Sequence, residues 1–100
     1  MVRIHVVYQD NSLKQITLTG HANYRNYGND IVCAAVSATY LCTINAILSI
    51  DEATIQVETK EETQIINILK EDEITNKLLH NMIRCLESLE KQYPNNIKIK

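Results

Sequence analysis

Residues 31 to about 50 put apolar or small side chains on nearly every face of a helical wheel, with Ile31, Val32, Ala35, Val36, Leu41, Ala46, Ile47, Leu48 and Ile50 spread around it. A helix without a polar face is stable in a globular chain only when other elements bury it. The chain has 100 residues in all, so the cover has to come from short segments, and the flanking sequence supplies strands. Val2, Ile4, Val6 and Tyr8 alternate with Arg3, His5, Val7 and Gln9, the period of a strand with one core face. Asp10-Asn11-Ser12 is a turn cluster. Ile16 and Leu18 then alternate with Thr17 and Thr19, which predicts the second strand of a hairpin. Ile55 and Val57 predict a third strand. Residues 63–69 predict a fourth, with Ile66 and Ile68 on one face and Lys60-Glu61-Glu62 as the turn before it.

Residues 73 to about 92 read as an amphipathic helix whose stripe is Ile74, Leu78, Leu79, Met82, Ile83, Leu86 and Leu89. Pro94 follows its end, and Ile97 and Ile99 alternate with lysines in a short last strand. The order β-β-α-β-β-α-β predicts one α+β domain over residues 1–100, a mostly antiparallel sheet with two helices packed on it. Tryptophan and phenylalanine are absent, so the core must be aliphatic. A formal charge of −2 argues against a nucleic-acid backbone binder, which usually shows a basic face. The first residues lack a signal-peptide pattern and no apolar run is expected to span a membrane, which points to the cytoplasm. Three cysteines, an odd number, argue against a disulfide framework. No Cys/His group has metal-site spacing, and no cofactor is expected.

The chemistry concentrates in Gly20-His21-Ala22 and the run from Tyr27 to Ala38. A thiol is a useful nucleophile only as thiolate, which a helix N-terminus and a nearby imidazole both favour. Asp30 is a good N-cap, which predicts a helix from residue 31 and puts Cys33 at its third position. A loop over 20–29, bounded by Gly20 and Gly28, folds His21 back over that helix start as the base. The free N–H groups of the first turn are then placed to hold an oxyanion. Asp30 either caps the helix or orients the imidazole. Ser37 either bonds near the sulfur or the substrate, or bonds back to a helix carbonyl. Tyr24 and Tyr27 either wall a substrate or pack on the domain. Cys42 and Cys85 lack these surroundings and read as structural, while His5 and His80 read as surface or partly packed. The alternative to an enzyme is a non-catalytic module that binds a peptide in the same cleft with Cys33 as a packing residue.

Over these residues the motif GHA…YGNDIVCAAVSA resembles that of the ribosomal-processing cysteine protease family Prp. The resemblance runs the length of the chain and is weakest over 51–72. It implies a cytoplasmic bacterial endopeptidase without a cofactor. Its partner would be the extended precursor of a large-subunit ribosomal protein, from which it removes a short N-terminal extension ending in an apolar segment with aromatic residues. The family's nucleophile and base fall on Cys33 and His21, its motif aspartate and serine on Asp30 and Ser37, and its mobile loop on 21–29. Family members are homodimers, and neither membrane nor direct nucleic-acid binding is implied. Residues 23–27, Asn-Tyr-Arg-Asn-Tyr, depart from relatives that carry a glycine there.

Overall fold

The computed structural model describes residues 1–20 and 27–100, and the side-chain surroundings of all of these except 27–30. Strand β1, Val2–Gln9, turns directly into β2, Ser12–Thr19. The two-residue turn has Asp10 at φ 53° and Asn11 at φ 66°. Two consecutive positive φ values make the turn that matches strand twist, and Asp and Asn tolerate that region best after glycine. The pairing shifts register between Val7 and Tyr8, and the shift leaves Leu13 and Ile16 both on the core side. Strands β3, Ile55–Lys60, and β4, Thr63–Ile68, form a second hairpin. Helix α2, Glu73–Gln92, begins at Asp72, whose carboxylate accepts the Thr75 N–H at 2.9 Å. Strand β5, Ile97–Ile99, ends the order.

The five strands lie in the sequence β3-β4-β2-β1-β5. All neighbours pair antiparallel except β1 and β5, which run parallel with Val2 opposite Ile97 and Ile4 opposite Ile99. Val2, Ile4, Ile16, Leu18, Ile66 and Ile97 form one buried face. Helix α1, Tyr27–Ile50, packs there through Val32, Val36, Tyr40, Ile44 and Ile47, and α2 through Leu79, Met82, Ile83 and Leu86. The other face carries a polar ladder, with Gln15 donating to Asn67 at 2.9 Å and Asn67 to Gln56 at 3.3 Å. The expected α+β order and the aliphatic core are both present.

Three expectations about α1 need correcting. The helix begins at Tyr27 rather than at 31, so Asp30 is its fourth residue and not its cap. Tyr27, Gly28 and Asn29, expected in the loop, make its first turn. Glycine and asparagine cost little at that point, because first-turn N–H groups have no intrahelical partner to lose. Second, the all-round apolar surface is buried on one side only: Leu41, Leu48 and Ile50 are exposed. Third, Ile31–Ile50 is long and apolar enough to cross a membrane by length and composition, contrary to the reading of the sequence. In this fold the same stretch is a core helix, with its buried stripe seated on the sheet.

Candidate active site

The site lies where β2 runs out. Gly20 follows its last residue with φ +113°, a backbone conformation closed to most side chains. A Cβ at this position would stand 2.1 Å from the Met1 carbonyl oxygen, so the residue must also be small. The chain thus leaves β2 pressed against the start of β1, and His21 follows at once in sequence.

Cys33 faces this corner from α1. It is the seventh residue of the helix, beyond the first turn of unpartnered N–H groups. Its placement in that first turn is therefore overturned, and with it the use of its own N–H as an oxyanion donor. Cys33, Val36, Ser37 and Tyr40 share one helix face and line a cavity of about 260 Å³ with Val2, Leu18, Thr19, Gly20, Glu61, Glu62 and Gln64. Three of the residues singled out in the sequence, Gly20, Cys33 and Ser37, are brought together there. Thr39 and Thr43 bond back to the carbonyls of Ala35 and Thr39, each at 2.8 Å. Among the described residues Ser37 makes no such bond, and its hydroxyl is open to the cavity. His21 and Tyr24, and the side chains of Tyr27 and Asp30, lie outside the described residues, as do any contacts at Gly28.

The cavity also holds a polar group that the reading of the sequence missed. Gln64 pairs across the sheet with Leu18 on one side and Thr59 on the other, in phase with the inward-facing Ile66. Its Oε1 accepts from the Tyr40 hydroxyl at 3.3 Å and from the Thr59 hydroxyl at 2.7 Å. Tyr40 is 7% exposed, and burial pushes its phenol pKa up. The signal was available, since a glutamine two residues before Ile66 and four before Ile68 breaks an apolar face.

Cys42 and Cys85 are both exposed, which corrects their reading as structural. Helix register decides this, as positions 42 and 85 fall off the buried stripes of α1 and α2. His5 is exposed, and His80 is half-buried with its ring 6.3 Å from that of Tyr8. Among the described residues no cluster of His, Cys, Asp and Glu is placed to hold a metal.

The model of the cysteine protease Prp family matches residues 1–98. A Staphylococcus aureus (strain Mu50) protein named ribosomal processing cysteine protease Prp is 25% identical over 103 residues, which cover 99% of this chain and 97% of that protein. The Bacillus subtilis (strain 168) protein of the same name is 26% identical over 109 residues, covering 90% and 87%. The crystal structure of S. aureus Prp with a covalently linked product peptide matches the fold with a TM-score of 0.89 at 24% identity, covering 100% of this chain and 98% of that one. With that family model matched over residues 1–98, the chain belongs to the cysteine protease Prp family.

Proposed function

We propose that this protease removes the N-terminal extension from the precursor of a bacterial large-subunit ribosomal protein, with Cys33 as nucleophile and His21 as general base. The observation that carries the reading is the convergence of Gly20, Cys33 and Ser37 on one cavity, directly before His21 in the chain. In this mechanism His21 takes the thiol proton as the Cys33 sulfur attacks the scissile carbonyl. The tetrahedral oxyanion collapses to a thioester, and the leaving amine departs with the proton from His21. Water, deprotonated by His21, then hydrolyses the thioester and frees Cys33. Asp30, no longer a cap, has the role of orienting the imidazole. Ser37 offers its hydroxyl to the oxyanion or the substrate backbone. Tyr24 and Tyr27 cover the apolar residues before the cut, with Gly28 next to Tyr27 in the chain.

A second copy of the chain is proposed to cover the outward side of α1. Ala34, Ala38, Leu41 and Leu48 recur there at helical spacing, with Leu41 54% exposed. The net charge of −2 favours a protein substrate over RNA, and the substrate proposed is cytoplasmic.

Incubation with the extended precursor, read by mass spectrometry, tests this function. Wild type should release the extension, and Cys33→Ala should not. Cys33→Ser should be nearly as inactive, since a hydroxyl is far harder to ionise than a thiol. Iodoacetamide should label Cys33 more slowly after His21→Ala. Turnover by Cys33→Ala at the wild-type rate would show the mechanism to be wrong.

A further inference from the structure

The cavity beside Cys33 is not uniformly apolar, and its polar part is organised. Val2, Leu18 and Val36 give it apolar walls, while Tyr40 and Gln64 bring a hydroxyl and an amide. Tyr40 is buried, Gln64 half-buried and Glu61 and Glu62 exposed, so the phenol lies toward the floor, the two carboxylates toward the mouth and the amide between them. The register of β4 explains why a glutamine is there at all. The Leu18–Gln64–Thr59 row faces the helices, as does the neighbouring Ile16–Ile66–Val57 row, yet it is polar at two of its three positions.

We propose that Gln64, held in orientation by Tyr40 and Thr59, selects the substrate side chain seated next to Cys33, a side chain with an apolar stem ending in a hydrogen-bond acceptor. The proposal rests on the protease reading above. The amide oxygen of Gln64 already accepts from two hydroxyls, at 3.3 and 2.7 Å. Among the described residues its NH2 group, with two donors, has no partner. A purely apolar side chain filling the cavity would strip water from those donors and leave them unpaired, which is the costly outcome for a buried polar group. A side chain ending in a hydroxyl or amide oxygen, tyrosine or glutamine, pairs with them and keeps its stem against Val2, Leu18 and Val36. A carboxylate end would also be an acceptor, but it has to pass the exposed Glu61. Sites of this kind discriminate through the polar group left unpaired by the wrong ligand.

The test uses peptides built on the extension–mature junction of the ribosomal-protein precursor, with each residue near the cut replaced in turn by Tyr, Phe, Gln and Leu. At one position wild type should favour Tyr over Phe, and Gln over Leu, by about tenfold in kcat/KM. Gln64→Leu should invert that order at the same position and change no other. Gln64→Glu keeps the acceptor for Tyr40 and Thr59 but removes the NH2 donors, so it should lose the preference while keeping the fold, read by circular dichroism. An unchanged ranking in both variants, with wild type cleaving, would overturn the selection alone. If wild type cleaves no peptide in the set, the protease reading falls and the selection falls with it.

Discussion

At Gly20 one added methyl group has no room. It would meet the Met1 carbonyl oxygen at 2.1 Å and the Val2 Cα at 3.2 Å, on a backbone at φ +113°. Gly20→Ala should lower stability by about 1–3 kcal/mol and shift the start of the segment that carries His21. Thermal denaturation reads the first effect and kcat/KM the second. The opposite outcome is expected at Cys42 and Cys85. Both are exposed, so their alanine variants should stay within about 0.5 kcal/mol of wild type in urea denaturation. The motif around Cys33 singles it out among the three cysteines of the sequence. Exposure was not legible there, because the preference of free cysteine for the interior is a tendency of residue type, and helix phase overrode it. Tyr40 makes a pH-dependent contribution. Its raised folded pKa means the folded state keeps a proton that the unfolded chain releases near the ordinary value of 10.0. Its contribution is therefore intact below pH 10 and lost as pH rises through the folded value. Tyr40→Phe should flatten the alkaline arm of a stability–pH curve.

The two helices show how far local signals reach. The bounds of α2 agree with the sequence because both ends carry chemical markers, Asp72 at one and Pro94 beyond the other. Asp72→Ala removes the acceptor for the Thr75 N–H and should cost about 1 kcal/mol, measured by urea denaturation with activity retained. The start of α1 carries conflicting markers. Gly28, Asn29 and Asp30 are all residues that favour a loop or a cap, yet the helix runs through them. A cap rule weighs one residue against its neighbours in sequence, whereas the first turn of α1 belongs to a helix anchored further along by Val32 and Val36. The strands were legible from alternation. Gln64 was passed over because it sits at the end of a run whose apolar members define the face.

For the whole molecule, no local signal hints that the last strand returns to the first. Three residues of alternation state that a strand exists and say nothing about its neighbour. The pairing is set by α2, which packs on the sheet and delivers Ile97 opposite Val2. The exposed side of α1 was legible only in part. The apolar residues of α1 were plain, but which of them stay uncovered depends on where the sheet lies. Leu41→Glu should leave the circular dichroism of the chain unchanged and convert the proposed dimer to monomer in sedimentation velocity. The crowding of Met1 against Gly20 has a consequence for anyone attaching a polypeptide ahead of residue 1. Val2 is part of the cavity wall, so such a fusion starts within two residues of the cleft. Tethered there, it competes with free substrate at an effective concentration set by its own length, and one bearing the processing sequence becomes a substrate in cis.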